Sequence, residues 1–127
     1  MQLSIIIINY NTFKLTCNCI QSIYNKLTDV DYEIVLVDNA SIECDPNLFK
    51  QKFPAINLVI SPTNSGFTGG NNLGVDNASG DYLLLLNSDI ELLNNAPKIC
   101  LDYILAHNDT GMTTCQLLYP DGKIQYN

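Results

Sequence analysis

Three features of this 127-residue sequence predict an α/β fold built on a mostly parallel sheet. Leu3–Ile8, Tyr32–Val37 and Tyr82–Leu86 are short apolar runs without strict alternation, the pattern of strands buried on both faces. Segments with helical spacing separate the runs, and alternating strand and helix calls for parallel pairing with right-handed crossovers. Each run also stops at a polar cluster: Asn9-Tyr10-Asn11-Thr12, Asp38-Asn39-Ala40-Ser41 and Asn87-Ser88-Asp89. The carboxyl ends of strands are where open α/β sheets bind ligands.

In chain order, the β-branched run Leu3–Ile8 is the first strand. Thr12 or Asn11 can cap the next helix, expected from about Phe13 to Lys26. Leu15, Cys19, Ile20, Ile23, Tyr24 and Leu27 fall at three- and four-residue spacing and predict its apolar face. Tyr32–Val37 is the second strand. Asp45-Pro46 reads as a cap followed by proline at the first helical position, opening a short helix to about Phe53. Asn57–Ile60 is the third strand. Residues 61–74, rich in glycine and asparagine, read as a long connector, with a short helix over about Asn71–Asn77 closed by Gly80. Tyr82–Leu86 is the fourth strand, and a helix follows from Ala96-Pro97 to about Ala106. Gly111–Tyr119 is expected to be extended, Pro120-Asp121-Gly122 to turn, and Lys123–Tyr126 to begin a return strand. The chain then stops inside an element, as a piece of a longer protein would.

The composition fits one domain with a real core: 46% hydrophobic and 15% charged residues. With 13 acidic residues against 6 basic ones, net charge −7, the chain lacks the basic face that nucleic acid requires. A phosphate ligand would therefore need backbone amides or a metal. The five cysteines (Cys17, Cys19, Cys44, Cys100 and Cys115) include no CxxC pair and read as reduced, mostly buried thiols, with Cys17 and Cys19 on different helix faces. His107, beside a helix end, reads as a C-terminal capping group. Met1-Gln2-Leu3-Ser4 leads straight into a strand, without the basic start of a signal peptide, and Leu3–Ile8 is far too short to span a bilayer. A cytoplasmic location is the expectation.

If the crossovers place the strands in the order 3-2-1-4, the sheet's switch point lies between the first and fourth. Tyr10, Asp38 and Asp89 then meet at one crevice. The first turn, Asn9-Tyr10-Asn11-Thr12-Phe13, has no glycine, so the dinucleotide fingerprint GxGxxG is absent, as is GxxxxGK[ST]. Asp89 holding a divalent metal is the remaining way to neutralise phosphates. Tyr10 suits stacking on a base, and Asp38 suits accepting from a base N–H or ribose hydroxyls.

Four stretches carry a resemblance: Ser4-Ile5-Ile6-Ile7-Ile8-Asn9-Tyr10-Asn11; Val37-Asp38-Asn39-Ala40-Ser41; Asn64-Ser65-Gly66-Phe67 with Gly70-Asn71-Asn72-Leu73-Gly74; and Leu86-Asn87-Ser88-Asp89. Together they resemble family 2 glycosyltransferases of the GT-A fold, most of all the rhamnosyltransferase-like bacterial enzymes of surface polysaccharide assembly. Gln116–Gln125 resembles the piece that follows the metal motif there. The resemblance implies that residues 1–127 are the nucleotide-sugar-binding part, truncated before an acceptor half. By position it assigns Tyr10 to the nucleobase and Asp38 to the base or ribose, with Asn9 and Asn11 as further substrate-binding residues. It assigns Asn64, Gly66, Phe67, Gly70, Asn71 and Asn72 to the donor pocket, and Asn87, Ser88 and Asp89 to the Asp-x-Asp position, with Asp89 as the Mg²⁺ or Mn²⁺ ligand. Asn87 departs from that pattern and removes one carboxylate.

The implied reaction is inverting transfer from a nucleotide-diphosphate sugar, with dTDP- or UDP-linked donors favoured, to a glycan or lipid-linked acceptor. A lipid-linked acceptor would bring the full-length protein to the inner face of a membrane as a peripheral partner. The catalytic base is expected beyond Asn127. Two other readings stand beside this one. A sugar nucleotidyltransferase would need a glycine-rich loop and a basic residue after the first strand. A non-catalytic nucleotide-binding module would bind its ligand without Asp89.

Overall fold

Parallel pairing of β1 (Leu3–Asn9) with β2 (Tyr32–Asp38) forms the centre of the molecule in the computed structural model, which describes residues 1–126. Between them runs α1 (Phe13–Lys26). The chain continues through α2 (Asn47–Lys52), β3 (Asn57–Ile60), α3 (Gly66–Asp76), β4 (Tyr82–Asn87) and α4 (Ala96–Ala106). It ends in an antiparallel hairpin of β5 (Leu117–Leu118) and β6 (Ile124–Gln125). The main sheet is parallel throughout, in the order β3-β2-β1-β4, as the crossover argument predicts.

The register places the site. Asn9 lies beside Asp38 across the β1–β2 pair, and Ile8 lies beside Asn87 across the β1–β4 pair. The polar clusters at the three strand ends are thus brought level. Leu3, Ile5 and Ile7 on one face of β1 join Cys19, Ile20 and Ile23 of α1 and Phe49 of α2 in the core. On the other face, α3 packs on β1 and β2. That approach depends on Gly74, where a Cβ would run into Ile6 and Val37.

Several expectations change. β4 is not buried on both faces: Tyr82, Leu84 and Leu86 pack on the core, but Leu83 and Leu85 are 47% and 54% exposed. Helix α3 covers β1 and β2 on that face without extending over β4. The helix after β3 starts at Gly66, five positions before the expected Asn71, so most of the predicted connector is helical. Gly80 does not cap it. Its N–H donates to Ser4 Oγ (2.8 Å), and a Cβ there would lie 2.6 Å from the Ser4 backbone nitrogen.

On α1, Leu15 and Tyr24 are exposed, and Thr16 and Cys17 are buried in their place. Thr16 is drawn inward by its hydrogen bond to Asn9 Oδ1 (2.9 Å). Cys17 and Cys19 are therefore both buried, although two apart. Cys44 and Cys100 are half-buried and Cys115 is exposed, so burial of the thiols is less general than expected; all five are free. Thr12 holds the N-cap position of α1, yet its side chain makes no capping bond. Glu43 accepts from the Phe13 N–H instead (2.6 Å). Asp45 accepts from the Asn47 N–H at the start of α2 (2.9 Å), and His107 Nδ1 meets the Tyr103 carbonyl oxygen at the end of α4 (2.8 Å). No helix among the described residues is long and apolar enough to cross a membrane.

Candidate active site

Asn9 is the polar hub at the carboxyl end of the sheet. Its Nδ2 donates to Asp38 Oδ1 (2.8 Å) and Ser41 Oγ (3.1 Å), and its Oδ1 accepts from Thr12 Oγ1 (3.0 Å) and Thr16 Oγ1 (2.9 Å). A buried primary amide with two donors and two acceptors in use has no capacity left. Asp38, 1% exposed, also accepts from the Ser41 N–H through Oδ2 (3.0 Å). Neutral donors, not a cation, surround this buried side chain.

The turns above these strand ends are conformationally demanding. Asn11 has φ +52° and Ala40 φ +65°, both left-handed. Asn11 offsets this by local bonds. Its N–H donates to Ser41 Oγ (2.9 Å), and its Oδ1 accepts from the N–H groups of Ile42 (2.9 Å) and Glu43 (3.2 Å). At the junction into α3, Gly66, its first residue, also has a left-handed backbone (φ +73°), which glycine adopts without strain. Asn39 meets that junction from the end of β2, making hydrogen bonds to Asn64, Ser65 and Gly66.

A cavity of about 470 Å³ opens between these turns. Ile8, Leu15 and Leu86 supply apolar lining, Tyr10 and Phe67 aromatic rings, and Thr12, Asn39, Asn64, Gly66, Asn87, Ser88 and Asp89 the polar wall. Of the residues predicted from sequence, Tyr10, Asn64, Gly66, Phe67, Asn87, Ser88 and Asp89 come together here. The remaining six do not line it. Asn9 and Asp38 are turned onto one another and Ser41, and Asn11 onto residues 41–43. Gly70 is packed near Ile8 and Asn39, Asn71 bonds the Phe67 carbonyl (3.1 Å), and Asn72 is exposed on α3. Asn9, Asn11, Asp38, Gly70 and Asn71 form the framework behind the cavity wall.

Asn39, Thr12, Ile8, Leu15 and Leu86 line the cavity although the sequence did not single them out. Asn39 carried a readable signal, standing beside Asp38 in the polar cluster that ends β2. The apolar residues carried none, because their spacing is that of core positions.

No lysine or arginine lines the cavity. Asp89 is exposed, with the Asn87 amide and Ser88 hydroxyl on the same wall. These are hard oxygen donors of the kind Mg²⁺ and Mn²⁺ accept. No group of three or more His, Cys, Asp or Glu side chains that could hold a metal occurs among the described residues. The wall therefore fits a metal that takes most of its ligands from phosphate and water, and does not fit an all-protein cage. Behind it, burial pushes the Cys19 thiol up to about 12, helped by the charges of Asp89 and Glu91. Cys19 is thus a protonated core group rather than a nucleophile at neutral pH.

The family model of glycosyl transferase family 2 matches residues 4–127. The chain belongs to this family. It is 33% identical over 91 residues to the uncharacterized glycosyltransferase YwdF of Bacillus subtilis, covering 70% of this chain and 33% of that protein. It is also 33% identical over 94 residues to the poly(ribitol-phosphate) beta-glucosyltransferase of Bacillus spizizenii, covering 70% of this chain and 15% of that protein. The chain thus spans a third or less of the length of these relatives.

Among solved structures, S. aureus TarS 1-349 in complex with UDP-GlcNAc superimposes with TM-score 0.70 at 26% identity, over 85% of this chain and 32% of that one. The mannosyltransferase PcManGT from Pyrobaculum calidifontis, in complex with GDP-Man and Mn²⁺, superimposes with TM-score 0.71 at 20% identity, over 81% of this chain and 32% of that one. Both share the α/β fold described above.

Proposed function

We propose that this chain is the donor-binding part of a glycosyltransferase that takes a nucleotide-diphosphate sugar, dTDP- or UDP-linked, and passes the sugar to a glycan or lipid-linked acceptor. The observation that carries the reading is the meeting of Tyr10, Asn64, Phe67, Asn87 and Asp89 at one cavity, although they lie far apart in sequence. Tyr10 and Phe67 offer rings to a flat base. The polar wall offers hydrogen bonds to ribose, and Asp89 would hold Mg²⁺ or Mn²⁺. Family membership and the UDP-sugar complex of TarS support the donor class.

A metal held by Asp89 would supply neutralisation of charge on the departing diphosphate. Transfer inverts the anomeric centre, an acceptor hydroxyl giving its proton to a carboxylate outside this donor-binding part. The residues of this chain bind and orient the donor, so the 127-residue chain binds nucleotide but turns over slowly or not at all. Surface polysaccharide assembly is the setting proposed, with the full-length protein in the cytoplasm and its acceptor at the inner face of the membrane.

The test is thermal stabilisation by UDP, dTDP, GDP and CDP, each with Mn²⁺ and with EDTA. A ligand at ~100 Kd adds about 2.7 kcal/mol to the folded state. A Mn²⁺-dependent rise in Tm with UDP or dTDP is expected. A rise unaffected by EDTA favours a metal-independent binding module.

A further inference from the structure

We propose that Asn39 is the positioning residue for the α3 side of the cavity, and that it sets nucleotide affinity through that wall; the affinity half rests on the reading above. Asn39 is 2% exposed, and its whole side-chain capacity is spent on three consecutive residues. Its Nδ2 donates to Asn64 Oδ1 (3.0 Å) and to the Gly66 carbonyl (3.0 Å). Its Oδ1 accepts from the Ser65 N–H (3.1 Å) and Ser65 Oγ (3.2 Å).

Apart from Asn39, the turn has only the local bond from the Gly66 N–H to Asn64 Oδ1 (2.9 Å) and, at its start, the bond from Ser61 Oγ to the Thr63 carbonyl (2.6 Å). Asn64, Ser65 and Gly66 are exposed, a Cβ on Gly66 would touch nothing, and Phe67 is exposed as well. Among the described residues, every side-chain hydrogen bond between residues 64–66 and the end of the sheet runs through Asn39. Asn39 is itself fixed by its backbone N–H, which donates to the Asn9 carbonyl (2.9 Å). The path from the buried Asn9–Asp38 pair to the outer wall is therefore one side chain long. Asn64, Gly66 and Phe67 face the ligand volume, so a turn released from Asn39 loses its preset shape, and binding must order it anew.

The variant Asn39→Asp separates this role from bulk. It keeps the size and the acceptor bonds from Ser65, loses both donors, and sets a carboxylate against Asn64 Oδ1 and the Gly66 carbonyl. Two readouts are taken on the 127-residue chain: amide exchange over residues 65–70 relative to β1 and β2, and calorimetric titration with UDP and dTDP in Mn²⁺. Exchange over residues 65–70 is expected to speed up about ten-fold or more with β1 and β2 unchanged, and Kd to rise about ten-fold or more. Ser65→Ala, which removes one bond to Asn39 from a residue outside the cavity lining, moves both in the same direction by less and serves if Asn39→Asp does not fold. Glu33→Gln, at the opposite end of the sheet, controls for general destabilisation and changes neither readout.

Unchanged exchange and Kd in Asn39→Asp, or an equal loss of affinity in Glu33→Gln, overturns the proposal. A wild-type chain that binds none of the nucleotides overturns the nucleotide reading and the affinity half with it. The exchange arm then still decides whether Asn39 holds the wall.

Discussion

The two ends of the parallel sheet spend polar groups in opposite ways. At the amino end, Glu33 Oε1 accepts from Ser4 Oγ (2.6 Å), the Ser79 N–H (2.7 Å) and Ser79 Oγ (2.8 Å), while Ser4 Oγ accepts from the Gly80 N–H (2.8 Å). This cluster closes space, stitching the α3–β4 connection onto β1 and β2. At the carboxyl end, Asn9, Asp38 and Asn39 are as fully bonded, but they hold apart three turns in the left-handed region, at Asn11, Ala40 and Gly66. The space between those turns is the cavity. Polar networks alone thus do not mark a site in this fold; the one that surrounds open volume does.

The largest effect should come from the closed end. In Gly80→Ala the new Cβ would sit 2.6 Å from the Ser4 backbone nitrogen, which cannot swing aside as a side-chain tip would. A loss of about 3 kcal/mol in urea unfolding is expected, with nucleotide affinity of the folded fraction unchanged. A matching loss of affinity would show that the two ends are coupled.

Glu33 gives a smaller effect that depends on pH. Partial burial raises its carboxyl, but the bonds from Ser4 and Ser79 outweigh it and leave the group below the usual carboxylate range. Its stabilisation is therefore present above the unfolded value of ~4.3 and is lost as pH falls through the lower folded value. Glu33→Gln should cost about 1 kcal/mol at pH 7 and flatten the acid limb of a stability–pH curve.

The smallest effect belongs to the open end. Ala40→Gly relieves a left-handed alanine, and after the entropy cost of glycine a net gain of about 0.5 kcal/mol is expected. Nucleotide affinity should fall slightly, because the strained turn adjoining Asn39 is less firmly preset. A loss of stability instead would mean that Ala40 is not strained.

Much of this was legible beforehand. The runs at Leu3 and Tyr32 and the crossover rule yielded β1, β2 and the order 3-2-1-4, because a parallel core requires continuous apolar strands. The polar strand ends yielded Tyr10, Asn87 and Asp89. What stayed hidden depended on tertiary partners. The four leucines of β4 report a capacity for burial, not what covers them, and α3 leaves Leu83 and Leu85 bare. The glycines in Gly66-Phe67-Thr68-Gly69-Gly70 argued against helix by propensity, yet tertiary packing outweighs propensity, and Gly74 permits the close approach of α3 to β1. Asp38 was readable as functional by type and place, but not as an acid already occupied by Asn9 and Ser41.

The cavity is proposed to take a nucleoside diphosphate with a metal on Asp89. The most direct measurement is calorimetric titration of UDP and dTDP into the wild-type chain and into Asp89→Ala, each with Mn²⁺ and with EDTA. Asp89 is exposed, and its replacement leaves no buried group unpaired, so the variant should fold as the wild type does. Wild-type binding that needs Mn²⁺ and is lost in Asp89→Ala is the predicted result. Equal affinity in both proteins, with or without metal, would contradict it.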